Sequence, residues 1–125
     1  AAAGGGMPIL SIFAGTPRPV PIAVSMMERH PLGSQAFMPL LDHDWLVVVA
    51  PTNADDSAPN FDGLRCFHAR GDQGVTYAPN VWHHPLLVRQ PQDFLIADRA
   101  GPDGEVDSAN LQEHWEDMPV AVIKL

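Results

Sequence analysis

The sequence predicts an all-β protein, and three observations support this fold class. Thirteen prolines and ten glycines divide the 125 residues into short apolar runs, as turns divide successive strands. No window carries the long i, i+3, i+4, i+7 apolar stripe of an amphipathic helix. Each apolar run has the length expected of a strand in a small barrel or sandwich. We therefore expect one compact β domain.

Nine segments have the composition and length of strands. In chain order these candidate strands are Ile9–Phe13, Pro21–Met26, Gln35–Pro39, Trp45–Ala50, Leu64–His68, Gly74–Tyr77, Pro85–Arg89, Asp93–Asp98 and Val120–Lys124. Turn-forming residues separate several of them. Three such segments predict tight reversals between antiparallel neighbours, namely Asp42–Asp44, Gly71–Gly74 and Gln90–Gln92.

Two longer connections complete the predicted secondary structure. Thr52–Gly63 is rich in Asn, Asp and Pro, which predicts a surface loop that ends in a short helical turn before the next strand. Asn110–Asp117 predicts a short helix, because Leu111 and Trp115 stand four residues apart. We expect Trp115 to pack as a lid on one end of the barrel.

Composition and charge exclude several classes of partner. With 46% hydrophobic residues, the chain can bury one real core. Seven basic and fifteen acidic residues give a formal net charge of −8, which repels nucleic-acid phosphates and anionic lipid headgroups. No apolar run approaches the roughly 20 residues that a bilayer-spanning helix needs. Nucleic acid and membrane surfaces are therefore poor candidate partners, and we expect a soluble protein.

The number of cysteines indicates the cellular compartment, and the first six residues indicate where the domain begins. Cys66 is the only cysteine, so neither an internal disulfide nor a thiolate zinc cluster can form, which predicts a reducing, cytoplasmic location. Its apolar neighbours predict a small buried side chain. Residues 1–6 lack the features of a signal peptide and are interpreted as a tag or an unassigned segment. We assign the domain to residues 7–125.

Polar residues that can carry chemistry are concentrated in three segments beside predicted strands. Buried polar groups are unfavourable unless they are paired or used, so function is expected there. Glu28 and His30 are two residues apart, and both point to one face if the backbone is extended. The three segments are Glu28–Gln35, Tyr77–Pro85 and Asp98–Arg99.

The first segment is similar to the metal-binding pattern of cupin barrels. Those barrels use His-x-His, four residues and then Glu, with one more His from a later segment. Here Glu28 stands at the first position, and His30 at the second. Gln35 replaces the final Glu, and His83 serves as the later His. Because a neutral amide is a weaker ligand than His or carboxylate, the pattern leaves metal binding open.

A closer resemblance covers most of the chain, from about Met26 to Gly101. It rests on E-R-H-P-L-G-S-Q-A-F at 28–37, G-V-T-Y at 74–77, N-V-W-H-H-P-L at 80–86 and D-F-L-I-A-D-R at 93–99. In order and in residue content, these blocks resemble the ureidoglycolate lyase family. Members of that family carry a sizeable N-terminal segment that this sequence lacks, and residues 1–6 do not resemble it.

The resemblance implies a cupin-like, jelly-roll β-barrel that is usually a homodimer. It implies cleavage of ureidoglycolate to glyoxylate and urea in allantoin and purine breakdown, and nickel is sometimes described as the bound metal. If a metal is bound, the resemblance and the cupin pattern imply that its ligands are His30, His83, Glu28 and Gln35.

The chemistry of this substrate defines three roles. Ureidoglycolate is a hemiaminal with a carboxylate, so its cleavage needs a base for the hydroxyl proton, an acid for the departing urea nitrogen and an anchor for the carboxylate. His83, Glu28 and His30 are the predicted catalytic residues, with the assignment of acid and base left open. Arg29 and Arg99 are candidate anchors, since a guanidinium binds a carboxylate through two hydrogen bonds. Each arginine suits a structural salt bridge equally well.

The remaining candidate residues are weighed by position and type. His83 and His84 face opposite ways in an extended segment, and we predict that His83 enters the barrel. Tyr77 and Gln35 can hydrogen-bond the substrate carboxylate or the urea carbonyl, and each suits a structural hydrogen bond at least equally well. No role is assigned to His43, His68 or His114.

Other functions remain open from the residues alone. A metal-dependent cupin oxygenase or isomerase would need a complete His and carboxylate set, which Glu28 and Gln35 do not supply. A non-catalytic, small-molecule-binding barrel would keep the pocket without an acid and a base. A hydrolase acting on ureidoglycolate would release ammonia and carbon dioxide in place of urea.

Overall fold

The computed structural model describes residues 4–125 and confirms the all-β prediction. Over those residues the chain forms antiparallel strands and two single 3-10 turns, Phe61–Gly63 and Ser108–Asn110. The strands are β1 (Met7–Gly15), β2 (Ile22–Val24), β3 (Met26–Arg29), β4 (Gln35–Pro39), β5 (Trp45–Ala50), β6 (Arg65–Ala69), β7 (Val75–Tyr77), β8 (Trp82–His83), β9 (Leu87–Val88), β10 (Gln92–Ala100), β11 (Gln112–Trp115) and β12 (Ala121–Ile123).

The strands form two main sheets and a small outer ribbon. One main sheet has the order β1-β10-β4-β7, and the other has the order β11-β3-β8-β5-β6, with β9 also paired to β5. Strands β2 and β12 pair only with each other among the described residues. Buried side chains from both main sheets share one hydrophobic cluster, so the sheets face each other. This is the architecture of an all-β, cupin-like barrel.

Strand β5 packs against apolar groups on both of its faces. Trp45 and Val47 join Phe94 in the cluster between the main sheets. Leu46 and Val48 belong to a second cluster, which the β2–β12 ribbon covers. A strand buried on both faces needs a continuous apolar run and not an alternating one. The sequence W-L-V-V-V-A of β5 is uninterrupted because both faces of the strand are buried.

The three predicted tight reversals are wrong, because none joins two strands that pair with each other. The segments 42–44, 71–74 and 90–92 connect β4 to β5, β6 to β7 and β9 to β10. Each connection passes from one main sheet to the other. Turn-forming residues indicate where the chain reverses. They do not indicate which strands hydrogen-bond afterwards.

The predicted helix at Asn110–Asp117 is also wrong. Half of this segment is strand β11, which pairs with β3 from Gln112↔Arg29 to Trp115↔Met26. Pairing with the edge of β3 satisfies the backbone groups of β11, and such tertiary contacts override weak helix propensity. Trp115 is 65% exposed, so it does not pack as a lid.

The loop prediction for Thr52–Gly63 is confirmed, including its terminal turn. The 3-10 turn begins after Asn60, whose side chain accepts a hydrogen bond from the Asp62 backbone N–H. The single strand predicted at Pro21–Met26 divides at Ser25 into β2 and β3, which lie in different sheets.

Cys66 is exposed, so the prediction of a buried thiol is wrong. Strand β6 is the edge strand of its sheet, and its residues from Arg65 to His68 are all exposed. The apolar neighbours of Cys66 therefore do not mark a buried face.

The interpretation of residues 1–6 falls partly on residues 1–3, which lie outside the described residues. Gly4 and Gly6 both lie close to the Arg99 side chain. Of the helices that the structure describes, both single turns, neither is long and apolar enough to cross a membrane.

Candidate active site

Two neighbouring strands place an acid and a histidine directly opposite each other. Glu28 in β3 pairs in register with His83 in β8, so both side chains lie on one face of the sheet. The Glu28 Oε1 and His83 Nε2 atoms are 3.9 Å apart. His83 is 1% exposed, as the prediction that it enters the barrel requires.

His30 completes a three-residue cluster with Glu28 and His83. One ligand atom from each of the three residues lies within 4.8 Å of the other two. His30 lies just beyond β3, where Asn110 holds it. The Asn110 carbonyl is 2.9 Å from His30 Nδ1, and the Asn110 side-chain oxygen accepts a 2.7 Å hydrogen bond from the Leu32 N–H.

The hydrogen bonds of the two rings determine their tautomers. His30 Nδ1 faces the Asn110 carbonyl, and His83 Nδ1 faces the Val81 carbonyl at 2.9 Å. A carbonyl only accepts, so Nδ1 carries a proton in both rings, and in a neutral ring Nε2 keeps its lone pair. Both Nε2 atoms are buried and lack a hydrogen-bond partner. The two histidines therefore present free acceptor atoms to the cluster.

Gln35 and Asp98 reach this region from the opposite main sheet. They line the same cavity of about 380 Å³ as Glu28 and His30. Gln35 donates through Nε2 to Asp98 Oδ2 at 3.0 Å, and the Gln35 Oε1 atom is buried without a partner. Asp98 was not among the predicted site residues. Its position at a strand end, next to Arg99, was the only signal for it.

Tyr77 packs against the cluster through its ring. It stacks on His83 with ring centroids 4.1 Å apart and an interplanar angle of 10°. Burial, with the Glu28 charge in addition, raises the pKa of Tyr77, so its phenol is neutral at physiological pH. The stack fixes the orientation of the His83 ring.

Burial dominates the electrostatics of the cluster. It raises the pKa of Glu28, with smaller contributions in the same direction from Glu113 and Asp98 and an opposing one from His30. Burial also lowers the pKa of His83 to about 4. His83 is therefore neutral at physiological pH, in agreement with the tautomer that its hydrogen bond requires.

Comparison with known proteins identifies the family. The profile of the ureidoglycolate lyase family matches residues 1–123. A ureidoglycolate lyase of Agrobacterium fabrum is 48% identical over 123 residues, which cover 98% of this chain and 69% of that relative. Those of Burkholderia mallei (46% over 110 residues) and Burkholderia cepacia (49% over 115 residues) cover 87% and 90% of the chain.

The chain belongs to the ureidoglycolate lyase family. It spans less than two thirds of the length of the first relatives, 62% for that of Burkholderia mallei and 63% for that of Burkholderia cepacia. The blocks that predicted the family are the same ones that supply Glu28, His30 and His83 to the cluster.

The fold of this family member places Arg29 away from the cluster. Strand alternation turns it to the face opposite Glu28, where its guanidinium lies 4.3 Å from the centre of the Trp82 ring. Its three nitrogens donate to Gln112 Oε1, Asp56 Oδ1 and the Asp56 carbonyl at 2.7 to 2.9 Å. The geometry therefore supports a structural role for Arg29, and a substitution tests this role against the anchor role predicted from the sequence.

We expect Arg29→Lys to lower Tm by about 4 °C, because lysine cannot make the three directed hydrogen bonds of the guanidinium. The KM for substrate should stay unchanged. Thermal unfolding and steady-state kinetics measure the two effects. Arg70→Lys is the matched control, since Arg70 and its partner Asp72 are both exposed. A raised KM with an unchanged Tm would return Arg29 to the substrate site.

Arg99 lies in the wall of the cavity. Its Nη1 donates to Asp107 Oδ2 at 2.8 Å. Among the described residues that line the cavity, Arg99 is the one arginine or lysine. The same described lining includes the carboxylates of Glu28, Asp98, Glu105 and Asp107. An anionic substrate would therefore enter a region with an excess of negative charge.

The cluster fits a divalent cation. Two imidazoles and a carboxylate are ligands that nickel, zinc and iron accept. The unpartnered Nε2 atoms and the Gln35 Oε1 atom are buried and can act as acceptors, and a positive ion is the kind of ligand that such acceptors bind. Backbone carbonyls at Nδ1 orient both rings, as outer hydrogen bonds do in metal sites.

Proposed function

We propose that this chain carries the catalytic site of a ureidoglycolate lyase, which cleaves ureidoglycolate to glyoxylate and urea in allantoin and purine degradation. The observation that carries the proposal is the Glu28–His30–His83 cluster, assembled in a chain that matches the family over residues 1–123. The cluster offers acceptors without partners and a half-buried carboxylate beside a cavity of the size that small ligands occupy.

The reaction moves one proton within the substrate. A base removes the hydroxyl proton, the oxygen electrons form the C=O bond of glyoxylate, and the C–N bond breaks with its electron pair on the urea nitrogen. The nitrogen then takes up one proton. Because no net proton is gained or lost, one proton carrier can serve both steps.

Glu28 is the proposed proton carrier. Its raised pKa makes it a stronger base than an exposed carboxylate, and it lines the cavity. When no cation occupies the cluster, the Nε2 lone pairs of His30 and His83 can accept hydrogen bonds from the hydroxyl and N–H groups of the substrate. Arg99 is the proposed anchor of the substrate carboxylate, and Tyr77 holds the His83 ring in place.

We further propose that His30, His83 and one carboxylate oxygen of Glu28 hold a divalent cation such as nickel, with the Gln35 Oε1 atom as a fourth ligand. The second oxygen of Glu28 then remains available to carry the proton. When bound, the cation would supply the positive charge that offsets the substrate carboxylate and stabilises negative charge on the reacting oxygen. The acidic lining of the cavity supports this proposal, since Arg99 there already pairs with Asp107.

The test measures urea and glyoxylate release from freshly prepared ureidoglycolate by the purified chain, against the spontaneous background. We expect equal amounts of both products, loss of the activity with a chelator, and its recovery with Ni²⁺. Ammonia and carbon dioxide in place of urea would identify a hydrolase. Substrate binding without product release would instead support the non-catalytic barrel.

We propose that the protein is a homodimer in which a second copy covers the outer face of the sheet containing β1. Strand β1 forms the edge of that sheet. Ile12, Leu95 and Met38 stand side by side across β1, β10 and β4, and Ile12 and Leu10 are each 70% exposed. A row of exposed apolar side chains of this kind marks an interaction surface.

Ile12→Lys is expected to convert the dimer to a monomer, because a lysine within the apolar row cannot be desolvated without a partner. Sedimentation velocity measures the change. Val106→Lys is the control, since Val106 is an exposed apolar residue in a loop and belongs to none of the three strands that carry the row. A dimer that survives Ile12→Lys, or a monomeric wild-type protein, would contradict the assignment.

We propose a cytoplasmic location. The single cysteine, Cys66, is exposed and has no disulfide partner, which supports a reducing compartment. The formal net charge of −8 supports the proposal that neither nucleic acid nor an anionic membrane surface is a partner.

A further inference from the structure

The orientation of the Gln35 amide depends on one hydrogen bond. The oxygen and the nitrogen of an amide have nearly the same size, so only their partners decide which of them faces a site. The Gln35 Nε2 atom donates to Asp98 Oδ2 at 3.0 Å. An ionised carboxylate only accepts, so Asp98 selects the nitrogen and leaves Oε1 available to a ligand. That Oε1 atom is buried and has no partner.

Asp98 is itself held in place by the strand that carries it. Its Oδ1 atom accepts a 2.7 Å hydrogen bond from the Arg99 backbone N–H. Strand β10 pairs with β4 through Ala97↔Ala36, next to both residues of the pair. Two sets of bonds therefore set the position of the Asp98 carboxylate relative to Gln35. They are the bond from the Arg99 backbone N–H and the pairing of β10 with β4.

We infer that Asp98 is a positioning residue, which turns the Gln35 amide so that Oε1 joins the acceptors of Glu28, His30 and His83. All four residues then present acceptors to the same ligand. The inference rests on the proposed cation-binding role of the cluster. Asp98 acts through Gln35 and does not itself bind the ion.

The experiment titrates the metal-free protein with Ni²⁺ alone by calorimetry, in the wild type, Asp98→Asn, Gln35→Ala and the double variant. Asparagine keeps the shape of aspartate but can offer Gln35 either a donor or an acceptor, so the amide is free to turn. We expect Asp98→Asn to weaken Ni²⁺ binding by about 10- to 100-fold. The visible absorption spectrum of bound Co²⁺ should change as well.

The double variant separates positioning from a direct charge effect. If Asp98 acts through Gln35, adding Asp98→Asn to Gln35→Ala should weaken Ni²⁺ binding no further. Equal weakening in both backgrounds would overturn the inference, because the Asp98 charge would then act directly on the ion. Unchanged binding by Asp98→Asn would overturn it too.

Two controls make the outcome specific. Asp93→Asn removes the same charge from the same strand, and Asp93 does not line the cavity, so Ni²⁺ affinity should stay at the wild-type value. Circular dichroism and Tm establish that each variant is folded. A wild-type protein that binds no Ni²⁺ would contradict the proposed cation and this inference together. Wild-type binding with no loss in Asp98→Asn contradicts the inference alone.

Discussion

Replacing Glu28 with glutamine is expected to lower kcat/KM for ureidoglycolate cleavage by about 10²- to 10⁴-fold. Glutamine keeps the size of the side chain but cannot carry the proton from the hydroxyl to the departing nitrogen. The fold should be retained, because the change removes a negative charge that Glu113 and Asp98 repel. Initial rates of glyoxylate release, at saturating and at low substrate, give kcat and kcat/KM.

The control for this prediction is Glu116→Gln. Glu116 is exposed and lies 3.5 Å from His114, outside the cavity, so its loss should leave kcat/KM near the wild-type value. A Glu28→Gln protein that is folded and turns over substrate at the wild-type rate would exclude Glu28 as the proton carrier. It would leave a histidine of the cluster as the base.

Replacing His83 with alanine is expected to lower kcat by at least about 100-fold. The substitution removes the Nε2 acceptor, the ring on which Tyr77 stacks, and one proposed ligand of the cation. Both kcat and Ni²⁺ affinity should fall, since the same atom serves both. Steady-state kinetics and calorimetry measure the two losses on one preparation.

His84→Ala provides a matched control at the next position. His84 is buried like His83, at 5% exposure, but its Nδ1 atom faces the Pro85 carbonyl and it is not part of the cluster. Both substitutions should lower Tm, because each removes a buried ring. Only His83→Ala should remove activity. Equal loss of activity in both variants would show that damage to the barrel, and not chemistry, explains the effect.

Much of the secondary structure could be predicted because it depends on local sequence. The apolar run of β5 and the polar loop at 52–63 both appear where composition predicts them. Strand β11 was missed because its hydrogen bonds go to β3, more than 80 residues away in the pair Gln112↔Arg29. A pairing between strands so far apart in sequence is not visible in the local residue pattern. The prediction therefore followed the helical spacing of Leu111 and Trp115.

The site residues that could be predicted are those that lie close together in the sequence. Glu28 and His30 share a face because they are two apart on extended backbone, and the family resemblance added His83. The role of Asp98 depends on the approach of β10 to β4, which brings it to Gln35 from 63 positions away. No spacing rule connects those two residues.

The sequence by itself determined the fold class, the family and three members of the cluster. Each follows from residue types at short separations or from blocks that resemble known relatives. The tertiary structure decided which strands pair, that Arg29 bonds to Asp56 on the face away from Glu28, and that Cys66 is exposed. These outcomes depend on which faces the two sheets bury against each other, and burial is a property of the packed molecule that local sequence does not specify.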